Sequence, residues 1–474
     1  MNCVELFKIR ALENRDAMAI RLARGPGVTF GELLSLGARA QKVYRRHGLQ
    51  PGDMVLLADN LGPRLYASVI GILASGATAV LVEPWMPIER INRVIRRVQP
   101  KIFSASLVGR MWGLRSQAVR EIPNWVRPGE IANERGVEEL HLESVDPETI
   151  GILTFTSGTT GEPKGVVRHQ GYLLEQHRVL SSVLDLETFR GPDLCIFANF
   201  ALANLSSGRG SIIVPPAWKT DDLRWLESLR GADAPESLTT GPAFLMRLMD
   251  ETRLPELKSL HVGGALTDCW ILETAFAHFP DAHVSHIYGS SEAEPVACID
   301  AREAVERSRA RGLFQTLSLG KPVQEIKSTI EPDNVWVAGP HVCPLYIGGD
   351  EENRLHKRRD EEGRVWHSMG DRVRSDHDGW WYSGRSGQAL SDFELEQKVY
   401  AAIGSSKAFV VRENDALTLC IEPDGLRRDR TYEILRSMKA FNRICEVRIR
   451  RDRRHRARID RVGSLRTRKP WRIG

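Results

Sequence analysis

The stretch LTFTSGTTGEPKGVV, Leu153 to Val167, carries the residues of this chain best suited to grip a phosphate. An apolar run, Ile152 to Phe155, stops at a loop of Ser, Thr and Gly that Lys164 closes. Backbone N–H groups and the hydroxyls of Thr156, Ser157, Thr159 and Thr160 can meet phosphate oxygens. Gly158 and Gly161 let the backbone come close, and the Lys164 ammonium supplies positive charge. This is not the Walker loop, which needs Ser or Thr after its lysine to hold Mg²⁺, whereas Gly165 stands here. A bare Ser/Thr/Gly loop is also compatible with a mobile surface turn, so the elements around it decide.

A chain of 474 residues is too long for one core and implies at least two domains. Hydrophobic content of 42% and charged content of 27% describe an ordinary globular protein. Seven cysteines are scattered without a C-x-x-C pair, which argues against a zinc site or disulfide framework and fits a reducing cytosol. The first residues carry charges every few positions, unlike a signal peptide. Leu65 to Val82 has no charge and the length of a membrane span, but Ala74-Ser75-Gly76-Ala77 interrupts it. It reads as a buried helix, Leu65 to Leu73, a turn, and a buried strand, Thr78 to Val82. From Glu446 to Gly474, eleven Arg and one Lys face three acids, although the whole chain carries only +5. With no aromatic platform besides Trp471, that tail reads as a solvated, partly structural face, and nucleic acid is not an expected partner.

Helix-like and strand-like stretches alternate from residue 29, the pattern of layered α/β sheets. Thr29 with Glu32 is a capping box opening a helix to about Arg46. Met54 to Ala58 is a strand, Pro87 to Val98 a helix, and Tyr172 to Leu184 a helix. Ser211 to Val214, Ser259 to Val262 and His283 to Ile287 are short apolar strands whose following turns are where an open α/β sheet binds ligands. Val335 to Tyr346 begins a β-rich subdomain, and Asp376-His377-Asp378-Gly379 turns into the strand Trp380-Trp381-Tyr382. A boundary near Gly384 gives domains 1–384 and 385–474. Phe393 to Ile403 is then helical and Lys407 to Ile421 holds two strands, which make the second domain a small α+β unit.

The loop, in the order S-G-T-T-G-x-P-K-G, resembles the phosphate loop of the adenylate-forming enzymes: acyl-CoA synthetases, luciferases and peptide-synthetase adenylation domains. Further motifs follow in the family's order. Gly263-Gly264-Ala265 matches the turn that lies against adenine and the acyl pocket. Tyr288-Gly289-Ser290-Ser291-Glu292 matches Y-G-x-T-E, with Ser for Thr. The resemblance implies that Tyr288 stacks adenine, Ser291 bonds the α-phosphate, and Glu292, with Thr156, holds Mg²⁺ through hard oxygen. Asp371 matches the aspartate that accepts both ribose hydroxyls, and Arg385 the arginine just before the hinge. Phe200, Leu202 and Gly264 are the expected lining of an apolar acyl pocket.

Two departures bear on activity. The family's lid lysine falls in a segment like D-R-R-H-N-x-K-I-D, where this chain has Asp452 to Asp460 with Arg458 at the lysine position. Arginine keeps the charge but is planar and differently hydrated, and Lys469 is a nearby alternative. The loop after Arg385 is Ser386-Gly387-Gln388-Ala389-Leu390, shorter than a CoA-facing loop, with Gly387 at the expected hinge. Together with Asn199 to Asn204, these features resemble olefin-pathway β-lactone synthetases and fatty-acyl-AMP-forming enzymes. The implied protein is a cytoplasmic ATP- and Mg²⁺-dependent ligase, with Lys164, Glu292 and Arg458 as its catalytic residues. It would adenylate a fatty or β-hydroxy acid, with β-lactone closure to follow. The alternatives are transfer to CoA or an acyl-carrier protein, and a nucleotide- or acyl-binding protein that has lost activity with its lysine.

Overall fold

Thr29 opens the first long helix, Phe30–Arg46, with a complete capping box: its hydroxyl accepts from the Glu32 N–H at 3.2 Å, and the Glu32 carboxylate accepts from the Thr29 N–H at 2.8 Å. A computed structural model describes residues 2–82, 86–135, 139–157, 163–214, 220–413, 416–423, 428–451 and 459–470. The uncharged stretch divides as its turn requires, into the helix Pro63–Ala74 and the strand Thr78–Val82. The Pro63–Ala74 helix is buried from Leu65 onward because it packs on the capped helix through facing glycines. A Cβ on Gly71 would stand 2.7 Å from the Gln41 nitrogen and 2.8 Å from the Gly37 carbonyl. Among the described residues, no helix is long and apolar enough to cross a membrane.

Two large sheets carry the first part of the chain. In a seven-stranded sheet, Ile150–Ser157, Thr78–Val82, Met54–Ala58, Ile102–Ala105 and Asn124–Val126 run parallel. Pro163–His169 pairs antiparallel with Ile150–Ser157, and Tyr346–Ile347 pairs antiparallel with Pro163–His169. An eleven-stranded sheet opens with the antiparallel pair Val28–Thr29 and Met18–Leu22, followed by a parallel set that includes Ser211–Ile213, Ser259–Gly263 and His283–Ser290. It continues antiparallel through Ala293–Asp300, Ser318–Pro322, Gly379–Arg385 and Asp371–Asp376. A four-stranded antiparallel sheet over residues 327–368 supplies the β-rich part.

The C-terminal residues form a separate four-stranded sheet against the helix Leu390–Ile403, with their own apolar cluster around Val399, Val410 and Leu419. Phe314 joins that cluster, and Ser406 donates to Asp268 at 2.7 Å. Part of the basic tail is structural: Arg461 pairs with the buried Glu396 at 2.9 Å and Arg468 with Glu413 at 2.8 Å.

The helix read from Phe393 begins at Leu390 and the β-rich part read from Val335 begins at Lys327, and two further differences touch the motifs. Lys164 lies inside a strand, so the phosphate-loop segment is a strand-to-strand hairpin, and the following helix starts at Gln170. The strand Gly379–Arg385 runs past Gly384, so the chain leaves the sheet only at Ser386.

Candidate active site

The hairpin Ile150–Ser157/Pro163–His169 sets Lys164 opposite Thr156. The short strand Tyr346–Ile347 then pairs with Gly165 and Val166 and brings the Tyr346 ring against Lys164, whose Nζ lies 4.2 Å from the ring centroid. Across from them, Ser291 and Glu292 form the two-residue turn between His283–Ser290 and Ala293–Asp300. Tyr346 Oη donates to Glu292 Oε1 at 2.8 Å, Lys164 Nζ donates to Tyr346 Oη at 3.2 Å, and Lys164 pairs with Glu292 at 3.2 Å. The Cys343 N–H donates to the Glu292 carbonyl at 2.6 Å. Arg168, itself buried, ties the two hairpins together, donating to Thr154 Oγ1 and to the Ser291 carbonyl, each at 2.8 Å.

Burial works against a charge on Glu292, and a protonated His367 would favour it. His367 is held down to about 3 by its own burial and by Lys357, so it is neutral at ordinary pH. The Lys164 ammonium, the Tyr346 hydroxyl and Lys357 therefore keep Glu292 ionised, below the usual carboxylate range. Burial and the Glu292 charge push the Tyr346 phenol up, so it acts as a donor throughout.

A second group forms four residues before Glu292 in the same hairpin. Tyr288 Oη donates to Asp371 Oδ2 at 2.8 Å, and Arg385 Nη1 donates to Asp371 Oδ1 at 2.5 Å. Asp371 and Arg385 face each other across paired strands, and Gly370, at φ +65°, turns the chain into that pair. Gly289 fits because a Cβ there would meet the Ala293 carbonyl at 2.9 Å, while Ser290 Oγ accepts from the Glu292 N–H at 3.3 Å.

The turn after Ser259–Gly263 places Gly264 at φ +81°, and Thr267 donates to the Ala265 carbonyl at 3.4 Å. The Phe197 ring lies 3.7 Å from where a Cβ on Gly264 would stand. Phe200 is buried in the core and packs on Phe197 at 5.7 Å, while Leu202 is half-buried. Gly387, at φ +79°, donates its N–H to Asp333 Oδ2 at 3.0 Å.

The structure thus brings Lys164 to Glu292 and Tyr288 to Asp371 and Arg385. For Thr156 and Ser157 it describes the backbone alone, and Gly158, Thr159, Thr160, Gly161 and Arg458 lie outside the described residues. Sequence reasoning missed Tyr346, Arg168, His367 and Phe197. Phe197 had a signal, since it follows the strand Asp193–Cys195 on the same sheet edge as Gly263 and Tyr288.

A layered α/β body with the hairpin Ile150–Ser157/Pro163–His169 and a Y-G-S-S-E turn on adjoining sheets defines the class. The chain belongs to the AMP-binding enzyme family, whose model matches residues 7–346. It is similar to an olefin beta-lactone synthetase of Xanthomonas campestris pv. campestris, 26% identical over 426 residues, with 79% of this chain and 76% of that protein covered. It is also similar to indigoidine synthase of Streptomyces lavendulae, at 27% identity over 386 residues, 75% of this chain. The chain spans only 28% of the length of that synthase. The crystal structure of ATP-bound MatB from Rhodopseudomonas palustris shares the fold, with a TM-score of 0.81 at 17% identity over 98% of this chain and 99% of that one.

Proposed function

We propose that this enzyme activates a carboxylic acid with ATP, forming an acyl-adenylate and releasing pyrophosphate. An acid carboxylate oxygen attacks the α-phosphorus as the bond to pyrophosphate breaks. The observation that carries this reading is the half-buried, ionised Glu292 with Lys164 on one side and, four residues away, Tyr288 beside Asp371. Tyr288 and the Gly263-Gly264-Ala265 turn would take the adenine, Asp371 the ribose hydroxyls with Arg385 beside it, and Ser291 the α-phosphate. Lys164 and the 156–161 loop would take the outer phosphates.

Mg²⁺ fits this donor set. Glu292 offers a hard oxygen already stripped of its proton, and its ammonium partner is free to follow the nucleotide's charge once a cation takes that place. Glu292, with Thr156, would hold the ion, which supplies charge neutralisation to the departing pyrophosphate. Arg458 would add charge from the lid.

For the acyl group, a fatty or β-hydroxy acid is the proposed substrate. The β-hydroxyl would then attack the acyl carbon, expelling AMP and a proton and closing a β-lactone. That second step is intramolecular and needs no acceptor channel. Two observations support it: the likeness to a beta-lactone synthetase, and a hinge loop held against residues of the first domain, with Ser386 Oγ donating to the Asp333 carbonyl at 2.7 Å and Arg372 to the Gln388 carbonyl at 2.9 Å.

The test mixes protein, ATP and Mg²⁺ with fatty and 3-hydroxy fatty acids, following pyrophosphate and the mass of the products. Pyrophosphate release that depends on the acid, with loss of one water from the 3-hydroxy acid, is expected. Silence with every acid would overturn the reading, and a stable acyl-AMP that forms without lactone would overturn its second half.

A further inference from the structure

We propose that the face around residues 107–120 docks this enzyme onto an anionic lipid bilayer. The short helix Leu107–Gly113 is turned inside out relative to an ordinary surface helix. Its inner face is made of two glycines and Trp112, which packs on the core: a Cβ on Gly109 would stand 1.8 Å from the Ala58 carbonyl, and one on Gly113 2.7 Å from the Phe103 ring. With the backbone seated flush on the strand ends, Leu107, Val108 and Met111 point outward, joined by Leu114 one turn on. They are 69%, 68%, 71% and 50% exposed, the densest group of large exposed apolar side chains among the described residues.

Side chains this exposed stand proud of the surface, a shape suited to insertion between headgroups rather than to filling a partner's pocket. Their surroundings are basic. Arg115 and Arg120 are exposed beside them, and Arg120 donates to the Leu114 carbonyl at 2.8 Å, which fixes its stem against the patch. Residues 107–121 hold three arginines against one acid. The neighbouring helix Ile88–Val98, bound through Asn92 to Ser116 at 2.7 Å, holds four arginines against one acid. Apolar protrusions with the Arg115 and Arg120 guanidinium groups beside them match phospholipid headgroups of negative charge.

The patch also sits at the carboxyl ends of the parallel strands, the same sheet edge as the hairpin that carries Lys164. The docking stands on the surface alone. Only its use, presenting the site to an acid that partitions into the bilayer, rests on the acyl-adenylate reading.

Co-sedimentation with vesicles of equal phosphatidylglycerol and phosphatidylcholine tests the proposal, with pure phosphatidylcholine as the reference. The whole chain should pellet with the anionic vesicles and be released by high salt. Leu107→Ser with Met111→Ser, or Arg115→Glu with Arg120→Glu, should weaken partitioning about tenfold or more, while Leu355→Ser, at an exposed position outside the patch, should leave it unchanged. Circular dichroism confirms that each variant folds. Absence of vesicle binding by the wild type, or binding untouched by both double variants, would overturn it. So would self-association of the wild type, seen in analytical ultracentrifugation, that the Leu107/Met111 variant abolishes, since the patch would then belong to a second copy. The pyrophosphate assay with a short dissolved acid reads the active site independently of all these outcomes.

Discussion

At the scale of single residues, Tyr346 is the part of the site whose removal is most informative. Its hydroxyl stands between an ammonium and a carboxylate, donating to Glu292 and accepting from Lys164. Tyr346→Phe keeps the ring that Lys164 lies over but leaves Glu292 with one fewer donor. A hydrogen bond to a buried charge contributes about 1.5–3 kcal/mol, so ATP–pyrophosphate exchange should fall roughly tenfold to a hundredfold. The Glu292 carboxyl lies below its unfolded value, so its contribution is present above that value and is lost as pH falls through the folded one. Losing the phenol raises the folded value, and acid inactivation should therefore begin at higher pH in the variant. Exchange measured across a pH series checks both; an unchanged rate would mean that Tyr346 only packs. Nothing in the sequence pointed to this residue. Its partner Lys164 is 182 positions away, and the contact exists only because a two-residue strand pairs with the hairpin. Tyr288 and Glu292 fall in one five-residue motif and Asp371 beside a Gly-Asp turn, short signals a sequence displays, whereas the contact of Tyr288 with Asp371 spans 83 positions.

At the scale of elements, the hairpin that carries Lys164 explains why a glycine follows the lysine. Gly165 lies against the Phe155 and Leu153 side chains, and a Cβ there would meet them at 2.8 and 2.9 Å. Gly165→Ala must push the buried Phe155 aside or lift the strand, and overpacking of this kind costs about 1–3 kcal/mol. The strand that would lift carries Lys164. Urea denaturation should show a lower midpoint, and pyrophosphate exchange should fall by more than the folded fraction accounts for. An unchanged midpoint would mean that Phe155 has room to move. The sequence excluded a Walker loop from this same glycine but placed a helix, not a strand, as the next element. Pro163 to His169 has no clean alternation of apolar and polar residues because consecutive positions, Gly165 to Arg168, are buried and so both of its faces are covered. Where signals were self-contained, as in the Thr29–Glu32 capping box or the break at Ala74 to Ala77, element and limits agreed to within two residues.

At the scale of the whole molecule, the large sheet stores an acid sensitivity in its interior. Burial holds His261 and His286, on adjacent parallel strands, down to about 4. His261 is bonded on both sides, to Ser259 at 2.9 Å and Ser285 at 2.7 Å, whereas neither ring nitrogen of His286 has a hydrogen-bond partner among the described residues. An unfolded histidine titrates near pH 6.5, so between that pH and about 4 the unfolded chain binds protons that the folded chain refuses. Stability attributable to each neutral ring is thus fully present above pH 6.5 and declines as pH falls toward the folded value. His286→Leu removes one such ring and two unpaired buried nitrogens while roughly conserving volume. The variant should be more stable than the parent at pH 8, by about 1–3 kcal/mol for the relieved polar burial. Its advantage should grow at pH 5, because the parent then loses stability at up to about 1.4 kcal/mol per pH unit through this ring and the variant does not. Urea denaturation at the two pH values measures the gap directly. An equal gap at both would mean that the ring is protonated in the fold, and a variant weaker at both would mean that the imidazole packs better than leucine, with its nitrogens satisfied.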